Sequence, residues 1–141
     1  VGMERGLKLI GVDDWSQPPE ARESWMAMMD RVGARPGTDY VMFSKKSQAL
    51  QRRLLDRAEH LRLSLTLVDG DHNYRVALAD LWMADWHTLK GGYVCVHDYG
   101  RASLLEVWMA AEEWQGKEKD NWQQLETHGT LGVWRRLGAG E

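Results

Sequence analysis

The chain has 141 residues, one domain's length, and an ordinary globular composition with 43% hydrophobic and 28% charged residues. Its net charge of −3 offers no basic surface for a phosphate backbone, so we expect no nucleic-acid partner. No apolar run approaches the ~20 residues of a membrane span, and the single cysteine, Cys95, suits a reducing compartment, so we expect no membrane partner and a cytoplasmic location.

The first half of the chain predicts two strand–helix pairs. Residues 7–12 form a short apolar run typical of a buried strand, and a helix over 20–32 follows Pro18-Pro19. Residues 40–43 predict a second strand, and Ser47 is placed to cap the helix after it.

The second half continues the alternation and ends in a hairpin. Residues 63–68 predict a third strand, Asn73 caps the following helix, and Gly91-Gly92 lead into a fourth strand over 93–96. A helix over 102–114 precedes two strands, 121–127 and 130–136, which turn at His128-Gly129.

The order βαβαβαβαββ indicates the α/β class. Strands that alternate with helices form a parallel sheet covered on both faces. We therefore predict one domain over residues 1–141, with a mostly parallel sheet and a C-terminal antiparallel hairpin at its edge.

Ionisable groups follow three of the predicted strands. They are Asp13-Asp14, the run DGDH at 69–72, and His97-Asp98. In an open parallel sheet, ligands bind beyond the carboxyl ends of the strands. Because like charges repel when they converge, such a group of acids requires a cation, a ligand hydroxyl or shared protons.

The sequences at these strand ends resemble one enzyme family. VDGDHNY at 68–74 and GGYVCVHDY at 91–99, with GVDDW at 11–15, are similar to the central block of class I S-adenosylmethionine-dependent methyltransferases. The resemblance is closest to methyltransferase family 24, whose pattern is D-G-D-H-S-Y followed by G-G and H-D. It covers residues 7–136 and implies a Rossmann-like sheet and methyl transfer to a small molecule.

The resemblance also implies which residues bind S-adenosylmethionine. Asp13 matches the carboxylate that accepts hydrogen bonds from the ribose hydroxyls, and Trp15 would cover the adenine. Ser47 matches the segment along the adenine edge, and Asp69 matches the residue beside the reactive methyl.

The same resemblance suggests catalytic and metal-binding residues. In related metal-dependent O-methyltransferases, acids at these strand ends hold magnesium, so Asp69, His97 and Asp98 are the candidate ligands of a Mg²⁺ ion. Asp71 or His72 would be the base, beside Asp69. A bound cation lowers the pKa of an acceptor hydroxyl, and a nearby base takes its proton.

Two features depart from the family pattern. The chain starts at the family's second strand, so the first strand and the glycine-rich loop that holds the methionine part of the cofactor are absent from the sequence. Lys46 stands where the family often has an acid that accepts from the adenine amino group, and lysine cannot accept a hydrogen bond.

We therefore carry two main functions forward. The first is O-methylation of a small-molecule acceptor by S-adenosylmethionine, with magnesium assistance. The alternative is a truncated or degenerate methyltransferase-like module that binds a partner without catalysis; a metal-dependent hydrolase is a third. Because the central strand is missing, we also expect a homo-oligomer or a piece of a longer chain.

Overall fold

A computed structural model describes residues 9–13, 20–44, 46–59 and 61–138. The chain forms two compact units, residues 1–52 and 53–141. The expectation of a single domain over residues 1–141 stays a prediction.

The first unit contains a two-stranded parallel sheet. Strand β1 (Leu9–Asp13) pairs with β2 (Tyr40–Ser44) in a register that sets Asp13 beside Ser44. Helix α1 (Ala21–Arg31) connects the two strands, and helix α2 (Ser47–Asp56) begins at the residue predicted to cap it and extends past the unit boundary. Both predicted strands and both helices of this half are confirmed.

The apolar spacing of α1 predicts a buried stripe of Ala21, Trp25, Met28 and Val32, of which Trp25 packs into the core of this unit whereas Met28 and Val32 are exposed. Met29 is buried, and Trp25 packs edge-on against Tyr40 with 5.1 Å between the ring centroids. Val32, expected on the buried stripe, is 69% exposed. The helix ends at Arg31, so Val32 lies outside the helical periodicity that the prediction extended to it.

The second unit contains a four-stranded sheet in the order β3-β4-β6-β5. Its elements are β3 (Leu63–Val68), helix α3 (Tyr74–His87), β4 (Thr88–Val96), helix α4 (Leu105–Glu118), β5 (Trp122–Gln124) and β6 (Gly132–Arg136). Strands β3 and β4 are parallel, whereas β6 is antiparallel to both of its neighbours, β4 and β5. The C-terminal hairpin is confirmed. The predicted single, mostly parallel sheet is confirmed only in part, because the described strands form one parallel and one mixed sheet.

Helices α3 and α4 cover one face of the four-stranded sheet. Val94, Val96 and Trp134 on the strands are fully buried, and Trp114 of α4 packs against Trp122 and Trp134 with centroids 5.1 and 5.7 Å apart. Large indole rings therefore fill the space between α4 and the antiparallel end of the sheet.

The other face of this sheet carries exposed apolar side chains. Leu65 and Leu67 alternate with Thr66 and Val68 along β3, and they are 61% and 59% exposed. Strand β3 is also an edge strand of its sheet, since β4 is its one partner among the described strands.

Strand β4 starts five residues earlier than predicted. Helix α3 stops at His87 and the chain is already extended at Thr88, whose hydroxyl donates to the carbonyl of Ala84 at 2.7 Å. The helical spacing of Leu78, Leu81, Trp82, Trp86 and Leu89 predicts that Trp86 faces inward, but Trp86 is 51% exposed. His87 is buried and accepts a hydrogen bond from the Leu61 amide at Nδ1. Within the described residues, no helix is long and apolar enough to cross a membrane.

Candidate functional site

The parallel pairing of β3 with β4 brings two of the predicted site segments together. Val68 lies opposite Val96, and the amide of His97 donates to the carbonyl of Val68 at 3.0 Å. Asp69 and His97 therefore leave the sheet side by side at its carboxyl edge.

Four side chains converge at this edge. Nε2 of His72 lies 3.0 Å from Oδ2 of Asp98, and Nδ1 of His97 lies 3.1 Å from the same oxygen. Nδ1 of His97 is also 3.2 Å from Oδ1 of Asp69. The two imidazoles thus lie against two carboxylates: that of Asp98, which is close to the core, and that of Asp69, which faces solvent.

Asp98 is the buried member of this cluster. Its residue is 4% exposed and adopts a left-handed backbone with φ of +59°, a conformation that Asp and Asn tolerate better than most residues. Burial alone would raise the pKa of Asp98, but the hydrogen bond from His72, the charge of His97 and the hydrogen bond from Arg101 together hold this pKa below its usual value. The carboxylate is therefore charged at neutral pH.

Local hydrogen bonds explain how His72 reaches Asp98. The side chain of Asn73 caps α3 by accepting from the amide of Arg75 at 3.0 Å, as predicted, and Oδ1 of Asp71 accepts from the amide of Asn73 at 2.9 Å. The amide of Tyr74 donates to Glu106 of α4 at 2.7 Å. These contacts fix the loop on which His72 stands.

The cluster does not contain every residue predicted for it. Among the described residues, Asp69, His72 and Asp98 each offer a ligand atom within 4.8 Å of the others. His97 lies beside both carboxylates, whereas Asp71 uses one oxygen for its turn. A small hollow here is lined by Asp69, Gly70, Asp71, His72 and His97 with the apolar Val68, Ala77 and Val107.

Arg101 was not identified from the sequence. Its Nη1 lies 3.4 Å from Oδ1 of Asp98, the carboxylate oxygen that neither histidine contacts. A cation three residues after a buried acid, in the turn before a helix, is the signal that could have identified it.

Two of the predicted cofactor-binding residues, Asp13 and Ser47, belong to the first unit. Asp13 ends β1 and Ser47 begins α2. Trp15 lies outside the described residues. Their roles toward S-adenosylmethionine stay predictions, as does the Mg²⁺ site.

The donor set does not fit Mg²⁺ well. Magnesium prefers oxygen ligands in near-ideal octahedral geometry and retains several waters. Here one of the three convergent ligand atoms is an imidazole nitrogen, and a second imidazole lies against both carboxylates.

Solved structures of methyltransferases share this fold. A TDP-rhamnose 3'-O-methyltransferase of calicheamicin biosynthesis matches with a TM-score of 0.65 and 15% identity, over 95% of this chain and 59% of its own. A candidate rRNA methylase from Clostridium thermocellum matches with a TM-score of 0.64 and 12% identity, over 94% and 74%. A candidate S-adenosylmethionine-dependent methyltransferase from Streptococcus mutans matches with a TM-score of 0.62 and 11% identity, over 91% and 38%.

These likenesses establish the class I methyltransferase fold and leave the activity to be tested. The chain spans about three fifths of the length of the calicheamicin enzyme. No protein-family model and no curated protein matches the sequence, so the narrower resemblance to methyltransferase family 24 stays a prediction.

Proposed function

We propose that this chain binds S-adenosylmethionine and transfers its methyl group to a hydroxyl oxygen of a small molecule. One observation carries the proposal: a histidine paired with a buried carboxylate, His72 with Asp98, stands at the carboxyl edge of β3 and β4 in a fold shared with methyltransferases. Ligands of open α/β sheets bind at this edge.

The pair suits proton removal from a hydroxyl. Bound S-adenosylmethionine would supply an electrophilic methyl on a sulfonium. As the acceptor oxygen forms its bond to that carbon and the carbon–sulfur bond breaks, the hydroxyl proton must go to a base. With Nε2 of His72 donating to Asp98, Nδ1 keeps a lone pair for this proton.

Asp98 and Asp69 would support this step in different ways. Asp98 fixes the ring and the tautomer of His72, and its negative charge stabilises the imidazolium that forms. The Asp69 carboxylate is half exposed, so it can face the cationic sulfonium and hold it near the acceptor. Asp71, which lines the same hollow, is the alternative base.

The sequence resemblance also assigns cofactor roles to residues of the first unit. Asp13 would accept hydrogen bonds from the ribose hydroxyls, Ser47 would line the adenine edge, and Trp15 would stack on the ring. These assignments come from the resemblance, so the affinity for the cofactor is the quantity that decides them.

Calorimetry with S-adenosylmethionine and S-adenosylhomocysteine tests the proposal directly. A ligand at 100 times its Kd stabilises the fold by about 2.7 kcal/mol, so thermal unfolding gives a second measurement. We expect Asp13→Asn to weaken binding about tenfold and Asp30→Asn, an exposed carboxylate on α1, to leave it unchanged. No binding of either ligand at millimolar concentration would reject the proposal.

The second candidate is an interaction module without catalysis. The exposed Leu65 and Leu67 favour it, because apolar side chains on a strand that lies at the edge of its sheet, among the described strands, promote association. Under this proposal a second copy, or another part of a longer chain, covers the leucines. A protein that self-associates and binds neither cofactor ligand would support this candidate over the first.

A further inference from the structure

We infer that the cluster of Asp69, His72, His97 and Asp98 binds a first-row transition dication such as Mn²⁺, Co²⁺ or Zn²⁺ in preference to Mg²⁺. The inference rests on the proposed function, because it names the class of metal at the same edge of the sheet. It departs from the magnesium that the sequence resemblance implies.

The spacing of the ligand atoms matches a coordination shell. Ligands about 2.1 Å from an ion at right angles to each other lie about 3 Å apart, and those on opposite sides about 4.2 Å apart. Nε2 of His72 lies 3.0 Å from Oδ2 of Asp98, and ligand atoms of Asp69, His72 and Asp98 all fall within 4.8 Å of one another. Nδ1 of His97 lies beside this group, 3.1 and 3.2 Å from the two carboxylates. An ion would thus enter with small side-chain movements.

The ligand types select the class of ion. Two carboxylates alone would suit any hard dication, but imidazole nitrogen favours transition metals over Mg²⁺ and Ca²⁺. His72 Nε2 belongs to the convergent group, and His97 Nδ1 lies near both carboxylates. The site therefore offers one imidazole nitrogen among its convergent ligand atoms, and a second imidazole nitrogen close to both carboxylates.

A contact with Arg101 already orients the carboxylate of Asp98. Arg101 occupies Oδ1 of Asp98 at 3.4 Å, which directs Oδ2 toward the two histidines. Groups that hold a metal ligand in place in this way strengthen metal binding. Asp98 is also nearly excluded from water, so little of its hydration remains to be lost when an ion binds.

Metal binding would change the role of His72. A ring that binds an ion through Nε2 is neutral and carries its proton on Nδ1, so it cannot accept another. In the metal-bound protein the base would then be Asp71, whereas in the metal-free protein it would be His72. The two bases left open by the sequence correspond to two states of one site.

The test is direct metal titration of the chain without cofactor, after chelator treatment and removal of any affinity tag. We expect calorimetry to give at least tenfold tighter binding of Mn²⁺, Co²⁺ or Zn²⁺ than of Mg²⁺. Bound Co²⁺ should show a visible absorption spectrum that differs from that of the aqueous ion. His72→Ala and Asp98→Asn should each weaken Co²⁺ binding about tenfold or more.

The control is His128→Ala, which removes an exposed histidine of the turn before β6 and should leave binding unchanged. Equal or tighter binding of Mg²⁺, no binding of any of these ions at millimolar concentration, or unchanged binding in folded His72→Ala would overturn the inference. If His72→Ala does not fold, two measurements replace it: the affinity of His97→Ala for Co²⁺, which should be weaker than that of the wild type, and the absorption spectrum of Co²⁺ bound to the wild type.

The titration separates the two proposals. Metal binding without affinity for S-adenosylmethionine would retain this inference and reject methyl transfer. Cofactor binding without transition-metal binding would reject this inference and retain the proposed methyl transfer.

Discussion

Nε2 of His72 lies 3.0 Å from Oδ2 of Asp98, although 26 residues separate the two in the chain. Each residue is set by its own local structure: His72 precedes the Asn73 cap of α3, and Asp98 occupies a left-handed turn after β4. The parallel pairing of β3 with β4 then brings the two turns together. The pair is the feature from which the proposed chemistry follows.

Substitution of Asp98 should separate its chemical role from its backbone role. Asp98→Asn retains a residue that tolerates positive φ but removes the charge, so we expect methyl transfer to fall by about tenfold or more while the fold remains. Asp98→Ala adds backbone strain and should have a lower Tm than Asp98→Asn. Circular dichroism melts and S-adenosylhomocysteine release measure the two effects. Equal melting temperatures would contradict the strain argument.

Asp69→Asn should abolish transfer and leave stability almost unchanged. The substitution is isosteric, and the carboxylate is half exposed, so its removal opens no cavity. We expect a Tm within about 2 °C of wild type and turnover reduced about 100-fold or more. Acceptors would be found by screening small hydroxyl compounds for S-adenosylhomocysteine formation. Turnover within a few-fold of wild type would remove Asp69 from the site.

The buried carboxyl of Asp85 should make the fold less stable as the pH rises, whereas a carboxyl whose pKa is lowered in the fold has the opposite effect. Burial raises the pKa of this carboxyl, although the Trp122 indole donates to it and Arg136 is near. A raised pKa in the fold means that stability is lost as pH rises through that pKa and is regained below the unfolded value, about 3.9. Asp85→Asn, whose amide oxygen can still accept from Trp122, should therefore raise Tm at pH 7, with the gain absent at about pH 3, below the unfolded pKa. An equal effect at both pH values would disprove the assignment.

Two glycines should respond to alanine in opposite directions. A Cβ at Gly132 would meet the Trp134 ring at 2.7 Å and the Tyr99 ring at 2.9 Å, so Gly132→Ala should destabilise by about 1–3 kcal/mol. A Cβ at Gly116, within α4, meets nothing within 4 Å, so Gly116→Ala should stabilise by about 0.5–1 kcal/mol. Urea unfolding of both variants gives the comparison. Destabilisation of both would show that the surroundings of Gly116 are tighter than described.

Self-association should depend on the exposed face of β3. If a second copy covers Leu65 and Leu67, the double variant Leu65→Lys/Leu67→Lys should shift a wild-type oligomer to monomer in light scattering. Leu105→Lys, at an equally exposed leucine at the start of α4, is the matched control and should not change the mass. A wild type that is monomeric at micromolar concentration would reject the homo-oligomer.

Much of the local structure was predictable from the sequence. Strand β3 was placed at its observed bounds, and Asn73 caps α3 as expected, because a run of apolar residues and a capping side chain act over a few neighbouring positions. The ionisable groups at the strand ends were visible for the same reason. The resemblance named Asp69, His72, His97 and Asp98, which the structure brings together.

Some features of the fold were decided only by the tertiary structure, because they depend on contacts between segments that are distant in the sequence. Strand β6 inserts between β4 and β5, and His87 is buried while Trp86 is exposed. Each outcome is chosen by the free energy of packing one segment against another, which the spacing within either segment does not contain. The sequence alone determined which chemical groups stand at the strand ends, and the pairing of β3 with β4 decided which of them meet.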